Sequence, residues 1–196
     1  MTETNKNIIT ISISSIALIL SLFNLWYSVI KYKLDISVGK QAKLFVGKLD
    51  SNKIQPRIFM TIALTNSGAK TILLNDIKLK VKLISNNKVF IEQEFSTIRE
   101  YDNILNNDGQ IYSELSPIVI ISKSSIVKKY IFHPTKEISQ SQIPTNFDLD
   151  ITVLTKNEKN WKIQKKYEIK NIDNVWQDIE QNGKIYKSYL KEIYEK

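Results

Sequence analysis

Cysteine is absent from this 196-residue chain, and histidine occurs once, as His133. The lack of thiols excludes disulfides, thiolate metal sites and Cys-His nucleophilic pairs. A Ser-His-Asp triad would have to use His133, which precedes Pro134 in a polar stretch, and no Gly-x-Ser-x-Gly elbow is present to display a serine. Glycine is sparse, with five residues scattered at positions 39, 47, 68, 109 and 183, so no phosphate-cradling loop can be assembled. Arginine is limited to Arg57 and Arg99, whereas specific readers of nucleic acid rely on its bidentate fork. These shortages point away from an enzyme, from a metal or other cofactor, and from nucleic acid as a partner.

Two polar clusters invite a chemical reading without sustaining it. Asn106-Asn107-Asp108-Gly109 has the look of a calcium loop, but with Gly109 sixth, Ile104 and Leu115 occupy the first and twelfth positions, where carboxylates belong. It reads as a turn. Asp148 and Asp150 share a strand face as a candidate acid pair and read instead as solvated carboxylates beside lysines.

What the chain does have is a long uncharged run, Ile8 to Ile30. As a helix rising about 1.5 Å per residue it spans roughly 35 Å, enough to cross a hydrocarbon core of about 30 Å. The run lacks the small-x-small exit of a cleaved leader; Trp26 and Tyr27 near its end and Lys31, Tyr32 and Lys33 just after it are the aromatic and basic residues of a membrane interface. We expect an uncleaved anchor in the cell membrane. Within about 20 positions after it lie Lys31, Lys33, Lys40, Lys43 and Lys48, against Lys6 before it, which places the remaining chain in the cytoplasm. The net charge of +8 is concentrated early: Met1–Phe95 carries 13 Lys and Arg against 6 Asp and Glu, the rest 15 against 14. Thr10, Ser14, Ala17, Ser21, Asn24 and Ser28 follow one side of the helix at alternating spacings of 4 and 3, an association seam for a second copy or a partner's helix. The alternative is that their hydroxyls bond back to their own helix.

Beyond the anchor the apolar period shortens to two. Ile58, Met60, Ile62 and Leu64 alternate with polar or smaller residues, and Ile77, Leu79, Val81 and Leu83 alternate with Lys78, Lys80 and Lys82. Leu34–Val38 and Leu44–Val46 are expected to form a first strand or a pair, and further strands are expected at Val89–Phe95, Ile118–Ile121, Ile126–Phe132, Phe147–Val153 and Trp161–Ile169. Ser96–Tyr112 is irregular and His133–Pro144 reads as a polar loop. Val175–Tyr194 places Trp176, Ile179, Tyr186, Tyr189, Leu190 and Ile193 at helical spacing, broken at Gly183. The expected fold is mainly β: a polar tail (1–7), a transmembrane helix (8–30), an antiparallel Ig-like β-sandwich (31–172) and a C-terminal amphipathic helix (173–196).

Two stretches, SLFNLWYSVIKYKLDISV (Ser21–Val38) and LTNSGAKTILLNDIKL (Leu64–Leu79), resemble small bacterial membrane-anchored proteins with an Ig-like sandwich. The resemblance implies membrane anchoring and a sandwich, and transfers no catalytic residue. The function expected is a non-enzymatic protein-binding or scaffolding module at the membrane, its protein partner unknown. One alternative is a lipid-surface module using the Lys78, Lys80 and Lys82 face; another is a cell-surface domain of reversed topology.

Overall fold

The computed structural model describes residues 3–27, 33–50, 53–101, 111–114, 117–157, 160–173 and 189–196. One helix, α1 (Glu3–Leu25), covers most of the uncharged run. Asn7–Leu25 within it is long and apolar enough to cross a membrane, and none of it is buried against the rest of the chain.

Trp26 and Tyr27 continue α1 as a π turn, and all other described regular structure except one 3-10 turn is β. The strands are β1 (Leu34–Asp50), β2 (Lys53–Asn66), β3 (Ile72–Leu74), β4 (Asp76–Ser85), β5 (Lys88–Tyr101), β6 (Ile111–Glu114) and β7 (Ile118–Ile120). They continue as β8 (Ser124–Pro134), β9 (Ile138–Ser139), β10 (Asn146–Asn157), β11 (Asn160–Asp173), β12 (Tyr189–Glu192) and β13 (Tyr194–Glu195). Eleven of them form one antiparallel sheet in the order β12-β1-β2-β8-β5-β4-β10-β11-β13, with β6 on β5 and β9 on β2; β3 and β7 pair separately.

The alternation read from the sequence sets the inner face. Ile58, Met60, Ile62 and Leu64 of β2, Ile77, Leu79, Val81 and Leu83 of β4, and Leu149, Ile151 and Val153 of β10 are all buried in one core with Phe95, Tyr130 and Phe132. The β4–β5 hairpin shows how that pattern is enforced. Asn86 and Asn87, at φ 49° and 60°, make a two-residue turn that pairs Ser85 with Lys88. Continued unbroken, that register would set Lys82 opposite Ile91 and turn the apolar residues of β5 outward, because a one-residue slip reverses every side chain. The strand corrects it with an extra residue at Phe90, after which Leu83 faces Ile91 and Lys82 faces Glu92.

Instead of the two separate facing sheets of the expected sandwich, the chain forms one curled, near-barrel sheet. The corner is β5, whose first half pairs with β4 and whose second half pairs with β8. The open side is bridged by the C-terminal residues. β12 pairs with β1 through Gln41–Leu44, β13 pairs with β11 at Tyr167 and Glu168, and Ile193 between them packs on the core. The Ile193 amide donates to the Lys40 carbonyl (2.9 Å) and the Lys196 amide to the Lys166 carbonyl (3.0 Å).

Two expectations about single elements are thereby corrected. The C-terminal helix is not formed over the described residues: Tyr189, Leu190 and Tyr194 lie in strands, while 174–188 fall outside the described residues. Of the two readings of the first strand, the single strand is the one formed, with an irregularity between Val38 and Ala42. β8 runs through His133 to Pro134, so the loop starts two residues later; proline is tolerated there because it ends the strand.

Candidate functional site

Where β5 leaves β8, the sheet splits and leaves a cleft of about 540 Å³ between Phe90–Glu94 and the segment Thr135–Gln142. Pairing of β5 to β8 stops at Phe95–Pro134, and β9 turns away to pair with β2. The last contact is local: the Thr135 amide (2.9 Å) and its Oγ1 (3.0 Å) both donate to the Glu94 carbonyl. Glu94 therefore directs its main-chain groups away from β4. By the two-residue period of a strand, Glu92 does the same one step further on, and among the described residues no strand pairs with it on that side. An open strand edge thus forms one wall of the cleft.

The side chains around that edge are mixed. Phe90 and Val89 are each 47% exposed, and the Lys88 ammonium lies 5.9 Å from the Phe90 ring centre. Ile138 is buried beneath the opposite wall. Gln93 points inward, at a position where the alternation calls for an apolar residue. Its Nε2 is buried and finds no hydrogen-bond partner among the described residues. A buried amide donor left without an acceptor costs about 1–3 kcal/mol, which an incoming carbonyl would relieve.

The lysine face lies on the outer side of the same hairpin. Lys78, Lys80 and Lys82 do share a face, and the corrected register sets carboxylates opposite them. Lys80 pairs with Glu92 at 2.8 Å, Lys82 with Glu92 at 3.1 Å and Lys78 with Glu94 at 2.6 Å. Lys78 also sits 4.0 Å from the centre of the Trp161 ring. The hydrogen bond from Lys80 holds the Glu92 carboxyl below its usual range, and the same bond raises the Lys80 ammonium. Two glutamates thus offset most of the charge of three lysines.

The remaining candidate residues are placed as follows. Trp26 and Tyr27 continue from α1 with about half their surface exposed, and Lys33 is exposed at the start of the β domain. Thr10, Ser14, Ala17, Ser21 and Asn24 lie in α1; Ser28, Lys31 and Tyr32 lie outside the described residues, as does the Asn106–Gly109 turn. Off the seam, the Ser12 hydroxyl donates back to the Ile8 carbonyl at 2.9 Å, the intrahelical alternative at work. Asp148 accepts from the Asn171 amide at 2.9 Å and Asp150 pairs with Lys196, so each carboxylate serves a different neighbour.

Two residues carry more than sequence reasoning assigned them. Gln93 is one; its signal was a polar residue on the apolar side of an alternating strand. Asn66 is the other, the first residue of the Asn-Ser-Gly turn. It is fully buried, donates to the carbonyls of Lys70 (2.6 Å), Ile120 (3.1 Å) and Ile121 (3.2 Å), and accepts from the Gly68 amide (3.0 Å). It ties the end of β2 to the end of β7. Fold and site define an antiparallel, near-barrel β domain preceded by an apolar helix of membrane-spanning length. No protein-family model and no curated protein matches the chain.

Proposed function

We propose that the chain is a single-pass membrane protein whose β domain holds an extended segment of another protein against the open edge of β5. The observation that carries this reading is the Glu92 edge, turned into a cleft that has an exposed Phe90 on one side and, within it, a Gln93 Nε2 with no partner among the described residues. A strand added there gains main-chain hydrogen bonds from Glu92, and pockets for alternate side chains supply selectivity. The cleft lies at the end of the barrel away from Leu34, where the chain enters the β domain. From Asn66, level with Leu34 where the chain comes in, to Ile54, level with Ile138 at the cleft, β2 rises roughly 40 Å at about 3.3 Å per residue. A partner could therefore be held clear of the bilayer. The lysines that follow α1 favour a cytoplasmic domain. A lipid role for Lys78, Lys80 and Lys82 draws less support, because Glu92 and Glu94 already pair with them.

The test is selection of displayed peptides against the full-length chain in lipid nanodiscs. Binders should be extended segments with alternating apolar residues. They should be lost with Glu92→Pro, which removes the outward amide but no bond to β4, and weakened by Gln93→Leu. Binders indifferent to both changes would overturn the reading. Alkaline phosphatase fused after Lys196 should stay inactive in cells; strong activity would reverse the topology.

A further inference from the structure

The end of the barrel nearest α1 in the chain is closed by the small β3–β7 sheet. Its inner side, Ile72, Leu74, Ile118 and Ile120, is buried in the core. Its outer side is apolar as well: Leu73 and Val119 face each other across the pair at 46% and 55% exposure, and Ile121 follows at 64%. Strand alternation that buries one face of a sheet should leave the other polar when it meets water. Here both faces are apolar.

Three lysines stand at one end of this outer face, beside the Ile72–Ile120 pair. Lys33, Lys70 and Lys123 are exposed, and none has a carboxylate within ion-pair distance among the described residues, unlike the lysines of β4. Their backbones are fastened together by the turn that Asn66 organises: Ser67 donates to Lys33 (3.0 Å), Lys123 to Gly68 (3.2 Å) and Asn66 to Lys70 (2.6 Å). The tether is short. Tyr27 at the end of the helix and Lys33 are six residues apart, which limits their separation to roughly 22 Å at about 3.6 Å per residue.

We propose that this cap is a membrane-docking surface, with Leu73, Val119 and Ile121 inserted at the headgroup level of the bilayer that α1 crosses, and Lys33, Lys70 and Lys123 on anionic lipid phosphates. The proposal rests on α1 being a membrane span. Apolar side chains beside lysines that have no carboxylate partner among the described residues match an interface of acyl chains and anionic headgroups in both polarity and charge. A second copy of the chain is a poor occupant, since three side chains fall far short of the roughly 800 Å² per partner in a stable protein interface. Docking would set the domain's orientation, with the β5 cleft directed away from the lipid.

Because the chain has no cysteine, single cysteines can be placed at will. Val119→Cys, Ile121→Cys and, at the far end, Ser141→Cys are each labelled with an environment-sensitive fluorophore in the full-length chain. The chain is reconstituted in phosphatidylcholine vesicles doped with phosphatidylglycerol. The labels at 119 and 121 should emit blue-shifted light and be quenched by nitroxide lipids, and the label at 141 should do neither. Leu73→Asp should release the label at 119 to water while the chain still floats with the vesicles, and omitting phosphatidylglycerol or raising salt should weaken quenching. Labels at 119 and 121 as water-exposed as that at 141, on chains that float, would overturn the cap and leave the span intact. A blue shift that nitroxide lipids do not quench and that grows with protein density would assign the face to protein contact and also overturn it. Failure to float would overturn the span, and the cap with it.

Discussion

Replacing Asn66 with alanine deletes four hydrogen bonds at once and is the sharpest available test of how the helix-side end of the barrel is held. The two hydrogens of its amide are shared among three carbonyls, and its oxygen accepts from Gly68. After the change, Lys70 and Ile121 can turn their carbonyls to water, because both residues are exposed. The Gly68 amide and the Ile120 carbonyl belong to buried residues and lose their partner without replacement. Two such groups at about 1–3 kcal/mol each give an expected loss of about 2–6 kcal/mol, a large part of the roughly 5–15 kcal/mol that holds an ordinary domain together. Asn66→Asp keeps the acceptor for Gly68 but aims a carboxylate at three carbonyls; it should be at least as damaging at neutral pH and partly recover in acid. The assay is urea unfolding of the full chain in detergent micelles, followed by tryptophan fluorescence, with a lowered midpoint at unchanged slope. A loss below about 0.5 kcal/mol, the range of ordinary surface changes, would refute the reasoning.

Three further outcomes follow from the closing side of the barrel. Burial raises the Tyr167 phenol above its usual value of 10.0, and its hydroxyl finds no partner at hydrogen-bonding geometry among the described residues. The unfolded chain therefore releases this proton first, so stability is whole below about pH 10 and falls as pH rises through that value. Tyr167→Phe should abolish that share of the alkaline loss and change neutral stability by less than about 1 kcal/mol, as read by urea titrations across pH. Removing Tyr189–Lys196 uncovers the edges of β1 and β11 together and should produce dimers and larger species in sedimentation, since bare edges recruit other strands. Lys196→Met, which breaks only its exposed pairs with Asp150 and Glu168, should cost under about 1 kcal/mol and leave the chain monodisperse.

The inner face of the barrel was legible because it obeys a local rule. Ile77, Leu79, Val81 and Leu83 alternate with lysines, and a two-residue period admits one assignment of faces. The partners of those lysines were harder to read. The Asn86-Asn87 turn taken alone sets Lys82 opposite Ile91, and only the clash between that register and the apolar residues of β5 demands the extra residue at Phe90 that brings Glu92 and Glu94 across. The tail was misread for a different reason. Tyr189, Leu190 and Ile193 suit a helix face as well as a strand, and what decides is two unpaired edges left by β1 and β11, far away in sequence. The cleft has the same origin: it exists because β5 changes neighbours at Phe95, a non-local event that no window of residues reports. Its one visible trace was Gln93, a polar residue on the apolar side of its strand.

The central claim is that the Glu92 edge of β5 is open and available to another strand. Amide hydrogen exchange on the full-length chain in nanodiscs tests it directly, residue by residue. The Glu92 amide should exchange freely, while those of Ile91 and Gln93, held to β4, should be strongly protected. Adding a selected peptide should slow Glu92 to the rate of its neighbours. A Glu92 amide already as protected as Gln93 in the chain alone would mean that the edge is occupied, and would contradict the account.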